Sequence, residues 1–324
     1  MTTLDGARFD AEFMELTSPY RVEILAHCYR MLGSVSEAED LVQETYVRAW
    51  RAYGSFEGRS SIRTWLYRIA TNACLTARER AARRPLPSGL FSAHRGDDPR
   101  PLVDESASWI EPIPGSLLTD ERADPASVVA ARTGLRLGLI AVLQHLPANQ
   151  RAVFLLRVVL QWRAQEVADV LEISVPAVNS LLQRARKRVD ELGPTEDAVV
   201  EPPDADVRRQ VDAYASAFER ADIDSLVALL VEDATFEMPP EPMWFDHRDD
   251  IGHFLADKVT VSGGWHARIT MANTQPAVAL HITGEAGRPH LESVHVLSIG
   301  PEGITRIVVF RNAAVIAPFA MSSD

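Results

Sequence analysis

The chain has few cysteines, no long apolar run and, over most of its length, no excess of positive charge. Its 324 residues include two cysteines, Cys28 and Cys74, both inside helical patterns and too few for a disulfide framework. No apolar run is long enough to cross a bilayer. The first residues lack the basic start and apolar stretch of a signal peptide, so none is expected. These absences exclude disulfide-rich secreted proteins and membrane-spanning proteins, and we expect a cytoplasmic protein with buried thiols.

The formal net charge of −12 is unevenly distributed along the chain. Residues 193–324 carry nine basic and 21 acidic side chains, and residues 85–125 have a net charge of −5. By contrast, residues 1–84 have a net charge of +1 and residues 126–192 a net charge of +4. Basic surface is therefore local, and two helical parts of the chain keep enough of it to contact phosphates.

Residues 163–189 have the pattern of a helix-turn-helix, the first helix running from Arg163 to Leu171. Ser174 can cap the second helix, and Pro176 is tolerated in its first turn. One face of this second helix is apolar, and the other carries polar and basic side chains: Asn179, Gln183, Arg184 and Lys187, with Arg186 and Arg188 nearby. A helix with a basic outer face after a tight turn is typical of major-groove readers. The alternative is an ordinary helical hairpin with a solvated basic face.

Residues 9–83 are predicted to form four helices. The third, starting at a capping box at Ser36, presents a face of Asp40, Gln43, Glu44 and Val47 that suits a basic helical partner, although it could simply be solvated. Ser61 can cap the fourth helix, whose outward residues include Arg63, Arg68 and Asn72. Cationic side chains beside a loop of small polar residues suit unstacked bases, and a basic amphipathic helix without a nucleic-acid role is the alternative.

Two linkers and a different C-terminal third complete the chain. Residues 85–125 contain seven prolines and are predicted to be flexible or weakly ordered. Within them, Trp109–Gly115 is either a docking peptide or a local turn. A second acidic linker precedes residue 205, after which two helices, a short strand, a third helix and four β-rich runs predict an α+β domain.

Three of these motifs resemble those of extracytoplasmic-function sigma factors of bacterial RNA polymerase. Residues 37–50 are similar to the helix that binds core polymerase, and residues 60–72 to the helix that reads the −10 element. Residues 146–157, with the helix-turn-helix, are similar to the domain that reads the −35 element. The remaining third resembles the SnoaL-like cone, an extension that a subset of this family carries.

The resemblance implies a multidomain fold class. It consists of two all-α sigma domains (a region 2 helical bundle and a region 4 helix-turn-helix) and a C-terminal α+β SnoaL-like cone. The expected boundaries are 1–84 for region 2, 85–125 for the acidic linker, 126–192 for region 4, 193–204 for the second linker and 205–320 for the cone.

The resemblance also implies partners and contact residues. Core RNA polymerase is expected to be contacted through its clamp and flap, and promoter DNA through both helical domains. The implied clamp contacts are Asp40, Gln43 and Glu44. The implied −10 contacts are Ser60, Ser61, Arg63, Arg68 and Asn72. The implied −35 contacts are Val175, Asn179, Ser180, Arg184, Arg186 and Arg188.

The C-terminal domain leaves two hypotheses open. A regulatory domain of net charge −12 could dock on the basic surfaces or, with Trp109–Gly115, make an intramolecular contact that modulates activity. An enzyme or ligand-binding cone would use a pocket, for which Glu237, Trp244, Asp246 and His247 are the candidate residues, with His253, His266 and His281 as further acid–base groups. No pair of these residues has a spacing specific to catalysis or metal binding. We therefore predict a non-enzymatic chain without a cofactor or metal.

Overall fold

The computed structural model describes residues 3–78, 84–94, 108–120, 123–192, 204–262, 264–283 and 289–320. Contacts group these residues into two compact units. The first lies within residues 1–83, 117–135 and 139–194, and the second within residues 84–116, 136–138 and 195–324. The two predicted helical domains therefore share one unit, and most of the predicted first linker belongs with the C-terminal domain.

The first unit is helical. Its helices are α1 (Thr3–Thr17), α2 (Arg21–Leu32), α3 (Val35–Tyr53), α4 (Ile62–Arg78), α5 (Pro125–Arg132), α6 (Leu137–Gln144), α7 (Ala148–Phe154), α8 (Ala164–Leu171) and α9 (Val175–Glu191). The start of α6, residues 137 and 138, is grouped with the second unit. The predicted capping box at Ser36 is wrong by two residues, because the cap of α3 is Ser34, whose Oγ accepts the Glu37 amide at 3.3 Å.

Two buried arginines hold the later helices on α2. Arg30 is fully buried and donates to the carbonyl oxygens of Ala130 and Ala131, each at 2.7 Å, at the end of α5. Arg151 of α7 is also fully buried and donates to the Met31 carbonyl and to Gln144 Oε1. Carbonyls at helix ends have no intrahelical donor, so a buried guanidinium satisfies them while keeping its own charge hydrogen-bonded. These contacts explain why residues far apart in sequence form one unit.

The second unit is built on one mixed sheet. Its strands are β1 (Leu230–Glu237), β2 (Trp244–Phe245), β3 (Trp265–Ala272), β4 (Gln275–Thr283), β5 (Pro289–Gly300) and β6 (Gly303–Phe310), in the order β2-β1-β6-β5-β4-β3. Its helices are α10 (Asp204–Glu219), α11 (Ile223–Ala228), α12 (Arg248–Ser262) and α13 (Ala313–Ala320). The strands pair antiparallel except β1 with β6, which are parallel. Aromatic and aliphatic side chains from α10, α12 and the strands form its core. The predicted α+β class is confirmed.

Two C-terminal elements differ from the prediction. The second helix predicted after residue 205 ends at Ala228, and the short strand predicted after it is the eight-residue β1, which begins at Leu230. The sheet supplies the reason, since the Leu229 carbonyl accepts the Ile304 amide at 2.8 Å at the start of the β1–β6 pair. A Cβ at Gly303 would lie 2.7 Å from this same carbonyl oxygen, so glycine is required there. A tertiary hydrogen bond thus ends a helix that local propensity favours.

Over the part of the chain that the structure describes, no single helix is long and apolar enough to span a membrane. The pair α5 and α6, bent by 67°, passes the length and composition test only when the two helices are taken together.

Candidate functional site

The helix-turn-helix forms as the sequence predicts. Glu172 ends α8 in the left-handed region (φ 55°), and three residues later α9 begins. Ser174 caps α9 by accepting the Ala177 amide at 3.3 Å, and Pro176 occupies the first turn. The buried face of α9 consists of Val178, Leu182 and Ala185. The turn and this buried stripe fix which side of α9 faces outward.

The outward side of α9 is basic. Asn179, Ser180, Arg184, Arg186 and Arg188 are exposed, and Val175 is half-buried at the helix start. Arg188 contacts Glu191 at 3.3 Å, whereas Arg184 and Arg186 make no ion pair with any described residue. Two guanidinium groups on this face are therefore available to an anionic partner without first losing a carboxylate.

The predicted polymerase-contacting residues lie on the exposed side of α3. Asp40 and Gln43 are exposed, and Glu44 is half-exposed and paired with Arg48 one turn along. The same helix leaves Val47 and Trp50 exposed at 47% and 45%, and Trp50 donates through Nε1 to Asp10 of α1 at 2.8 Å. These two residues border a groove of about 500 Å³ that also contains Phe13, Met14 and Tyr46. An acidic and amide row beside an apolar groove suits a partner helix with both basic and apolar residues.

The sequence did not single out Trp50 or Met14 for this surface. Both have the helical spacing of core residues, and their exposure depends on how α1 packs on α3. The signal that the sequence did contain was Val47, an apolar residue within the acidic face.

Some of the predicted −10 contact residues are exposed, and others already contact residues of the helical unit. Ser60 and Asn72 are exposed, and Ser61 caps α4 by accepting the Thr64 amide at 3.1 Å. Arg68 is exposed but paired with Glu172, at the turn of the helix-turn-helix. These positions remain predicted DNA contacts, and in this conformation Arg68 already has a carboxylate partner.

Arg63 is turned inward. Its Nε lies 2.8 Å from Glu23 Oε1, and its guanidinium carbon lies 5.4 Å from the ring centroids of both Tyr67 and Trp162. Glu23 is fully buried, and burial raises the pKa of its carboxyl while Arg63 opposes that change. Breaking this pair would leave a buried carboxylate unpaired. Arg63 therefore holds α4 on α2 and Trp162 in place, and it contacts DNA only if this arrangement opens.

The first linker, predicted to be flexible or weakly ordered, is docked where the structure describes it. Ile110 and Ile113 are buried, and the Ile113 backbone exchanges hydrogen bonds with Asn273 at 2.9 and 3.0 Å. A Cβ on Gly115 would lie 2.9 Å from Met271 Cβ, so glycine permits the close approach. The docking-peptide prediction for Trp109–Gly115 is confirmed. Residues 95–107, which the sequence places in the flexible linker, lie outside the described residues.

A second linker segment docks on the same domain. The Ser88 amide donates to Glu237 Oε2 at 2.9 Å, and the His94 amide donates to the Trp244 carbonyl at 2.7 Å. Trp244 in turn donates through Nε1 to the Phe91 carbonyl at 2.8 Å. These contacts satisfy backbone groups of a proline-rich segment that forms no strand of its own.

None of the four predicted pocket residues lines the cavity beside His295 of the C-terminal domain. Glu237 is fully buried in an ion pair with Arg306, and Trp244 holds the linker. Asp246 and His247 lie near the start of α12, where His247 Nδ1 accepts the Asp249 amide at 3.3 Å. These four residues lie between the end of β1 and the start of α12, and the sequence pattern could not show which strands would line the cavity.

This cavity has a volume of about 90 Å³, and the histidine beside it is buried. Tyr214 Oη and His295 Nδ1 are 2.8 Å apart, and Ser293 Oγ and His295 Nε2 are 3.1 Å apart. Both ring nitrogens are thus occupied, and the cavity is below the usual size of a ligand pocket, about 300–1,000 Å³. The sequence analysis missed His295 because it lies within a β-rich run without a recognisable motif. The arrangement is that of a satisfied core histidine.

We expect His295 to make the domain sensitive to acid. Burial lowers the pKa of its imidazole to about 3, whereas in the unfolded chain the pKa is about 6.5. Between these values only the unfolded state binds the proton, so stability is lost as the pH falls below about 6.5. The free energy of unfolding should fall by about 2 kcal/mol from this group between about pH 7 and pH 5. Urea unfolding at both pH values should show a smaller drop for His295→Gln, and an equal drop in both proteins would contradict the assignment.

Family models match the two helical parts of the chain, and individual relatives match nearly its whole length. The family model for sigma-70 region 2 matches residues 16–84, and the model for sigma-70 region 4 matches residues 136–189. The ECF RNA polymerase sigma factor SigG of Mycobacterium tuberculosis is 44% identical over 314 residues, which cover 96% of this chain and 84% of SigG. The probable ECF sigma factor SigI of the same organism is 26% identical, covering 92% and 93%.

A solved structure has the same fold over nearly the whole chain. The crystal structure of the Mycobacterium tuberculosis ECF sigma factor SigJ matches with a TM-score of 0.61 and 21% identity, covering 92% of this chain and 96% of SigJ. At this identity the likeness concerns the fold alone. It extends over the helical parts and the C-terminal α+β domain together.

Proposed function

We propose how this chain, which belongs to the extracytoplasmic-function (ECF) family of RNA polymerase sigma factors, uses the surfaces described above. It directs promoter recognition and transcription initiation, binding core RNA polymerase and promoter DNA without being an enzyme. Our assignments are region 2 to residues 1–84, region 4 to residues 126–192 and the SnoaL-like domain to residues 205–320. We also assign the chain to the cytoplasm, where its partners act.

The outward face of α9 is the observation that supports this function most directly. A capped helix, held by a tight turn and an apolar stripe, presents Asn179, Ser180 and Arg184 outward. Amide and guanidinium groups are the usual bidentate readers of adenine and guanine in the major groove. Arg186 and Arg188 flank this row and are suited to phosphates, which position the helix without specifying sequence. We assign base reading to Asn179 and Arg184, with Val175 and Ser180 bordering the contact.

The α3 surface is assigned to core polymerase. Asp40, Gln43 and Glu44 supply the polar row, and Val47 and Trp50 supply apolar area beside it. Exposed tryptophan is costly to leave in water and is enriched at the centres of protein interfaces. We therefore expect the complex with the clamp to combine charge complementarity with burial of Trp50.

The −10 contacts require a rearrangement within the helical unit. Arg68 is paired with Glu172 and Arg63 with Glu23, beside Trp162. An exposed pair such as Arg68–Glu172 contributes about 0–1 kcal/mol and is easily exchanged for a phosphate. The half-buried Arg63 pair is harder to break. We propose that Ser60, Ser61, Arg68 and Asn72 contact the melted element first.

We propose that the C-terminal domain modulates sigma activity by holding the linker between the two helical regions. Two described linker segments dock on it, through Ser88 with Glu237 and through Ile113 with Asn273. Any position of region 4 relative to region 2 must be compatible with this linker. Docking of the linker thereby restricts the positions available during promoter binding.

Replacing Ile113 with aspartate should release this linker segment. A carboxylate cannot occupy the fully buried site of Ile113 without a loss of several kcal/mol, so the segment undocks instead. The Asn273 amide, which donates to the Ile113 carbonyl at 2.9 Å, should then exchange its hydrogen faster. Hydrogen exchange of the full chain measures this directly.

The same variant tests modulation in run-off transcription with core polymerase. Ile113→Val is the matched control, because it costs about 1 kcal/mol and keeps the segment docked. Promoter output should differ between wild type and Ile113→Asp and be close to wild type for Ile113→Val. Equal output from all three, with the segment shown to be released in Ile113→Asp, would remove the modulatory role.

A further inference from the structure

A second cavity of the C-terminal unit is larger than the one beside His295. Its volume is about 300 Å³, at the lower limit of ligand pockets. At about 30 Å³ for each water molecule in the liquid, this volume corresponds to about ten waters. It lies between α10, the β3–β4 turn and the segment that precedes α6. Its lining combines apolar residues of α10 and the sheet with four charged residues, which are Asp204, Arg208 and Asp212 of α10 and Arg136.

The walls of this cavity are apolar and partly uncovered. Val211 and Ile299 are buried at its base, while Ile269 and Met271 of β3 remain 48% and 45% exposed. Large aliphatic side chains on both sides of a concavity gain free energy when an apolar molecule displaces the water between them. The cavity therefore favours a ligand with an apolar body.

The charges of the lining cancel. Asp204, Arg208 and Asp212 follow each other at intervals of four residues along α10, so each neighbouring pair is of opposite sign. Arg136, half-buried on the other side, balances the excess aspartate. A charged ligand would be attracted by the two lining groups of opposite sign and repelled by the two of like sign, so a net charge brings no gain in binding energy. The lining therefore favours an uncharged molecule with a polar group for hydrogen bonds.

The cavity adjoins the residues that hold the Ile113 segment of the linker and the start of α6. Leu137, directly after Arg136, donates its amide to Gln275 Oε1 at 2.8 Å, and Gln275 Nε2 donates to Ser298 Oγ at 2.9 Å. Gln275 lies between Thr274 and Pro276, which line the cavity. Asn273, whose side chain accepts the Ile113 amide, directly precedes Thr274 in the same turn. A molecule in the cavity would contact this turn and Arg136 together.

We propose that this cavity is a binding site for an uncharged amphipathic small molecule, and that its occupancy strengthens the docking of the Arg136–Gly138 segment. The apolar body lies against Ile269, Met271 and Val207, and the polar group faces Arg136. Since Arg136–Gly138 leads directly into the rest of α6, the site links a chemical signal to a helix of region 4.

The uncharged dye Nile red, whose fluorescence rises in apolar surroundings, is the probe for the site. Full-length protein should bind it saturably with one site per chain. Ile269→Glu should weaken binding by at least about tenfold, because the dye would desolvate a carboxylate. Leu90→Glu, at another exposed apolar position of the same unit, should bind as wild type does. Met271→Gln is a second cavity variant, and circular dichroism verifies folding.

Hydrogen exchange tests the link to the segment. Saturating Nile red should slow exchange of the Leu137 amide in wild type and leave it unchanged in Ile269→Glu. Unsaturable binding, or equal binding to wild type and both cavity variants, would overturn the site. An unchanged Leu137 amide in dye-saturated wild type would overturn the coupling. Neither measurement uses polymerase or DNA, so these outcomes are independent of the function proposed for α3 and α9.

Discussion

Replacing Asp40 with lysine should weaken binding of core polymerase by about 10- to 100-fold, which corresponds to about 1.4–2.7 kcal/mol. The side chain is exposed on α3 and makes no contact that the helical unit needs, so the fold should be unchanged. Reversing its charge replaces attraction by repulsion at a surface that we assign to a basic partner helix. Titration of labelled full-length protein with core enzyme measures the dissociation constant.

The matched control for this substitution is Asp257→Lys. Asp257 is likewise an exposed helical aspartate, on α12 of the C-terminal domain, and is not part of the surface assigned to polymerase. It should bind core enzyme as wild type does. If both variants bind equally well, or both lose affinity equally, the α3 surface is not the contact. A loss confined to Asp40→Lys that diminishes at high salt supports the electrostatic assignment.

Replacing Arg184 with alanine should reduce transcription from a −35-dependent promoter by about 10- to 100-fold, the effect of losing one bidentate base contact of about 1–3 kcal/mol. Arg184 is exposed on α9 and has no ion pair with any described residue, so its removal should not disturb the helix. Run-off transcription separates this effect from polymerase binding when the variant is in saturating excess over core enzyme and the holoenzyme concentration is too low to saturate the promoter.

Arg188→Ala distinguishes base reading from phosphate binding. Arg188 lies on the same helix and contacts Glu191 at 3.3 Å. Its loss should weaken binding about equally on every sequence and lower the salt dependence, because a phosphate contact carries no sequence information. Arg184→Ala should instead abolish discrimination between the cognate −35 element and a single-base variant. If Arg184→Ala keeps that discrimination, Arg184 does not read a base.

The helices of this chain could be predicted from sequence because local signals set them. Ser61 and Ser174 cap α4 and α9 as their positions indicate, and the break at Leu146–Pro147 separates α6 from α7. Local signals were misleading where a distant partner decides. Leu229 stops α11 because its carbonyl pairs with Ile304, more than seventy residues along the chain. The capping box at Ser36 competed with an equally good serine at Ser34, whose position matches the buried stripe of α3.

The contact residues were predicted to different extents for a physical reason. The exposed positions on α3 and α9 could be predicted because helical periodicity alone separates an apolar face from a polar one. Arg63 lies on a polar face too, but a buried carboxylate on α2 and the ring of Trp162 take its guanidinium inward. Neither partner is near it in sequence. The pocket candidates failed for the same reason, since Glu237 is buried by its pair with Arg306.

The linker shows how composition and structure can differ. Seven prolines and a net negative charge are typical of a flexible tether, yet the described parts of residues 84–120 are docked. Ile110 and Ile113 supply buried apolar area, and hydrogen bonds to Asn273 and Glu237 satisfy the backbone that proline-rich sequence leaves unpaired. The apolar residues at 109–113 were the sequence signal, and the surface that receives them could not be identified from sequence.

Promoter-directed transcription by a reconstituted holoenzyme tests the central claim most directly. Purified full-length chain is mixed with bacterial core polymerase at low salt and given a template that carries −35 and −10 elements. The account predicts a one-to-one complex that initiates at this promoter, with initiation reduced by Asp40→Lys through core binding and by Arg184→Ala through promoter selection. Absence of a complex with core enzyme, or transcription that ignores both elements, would contradict it.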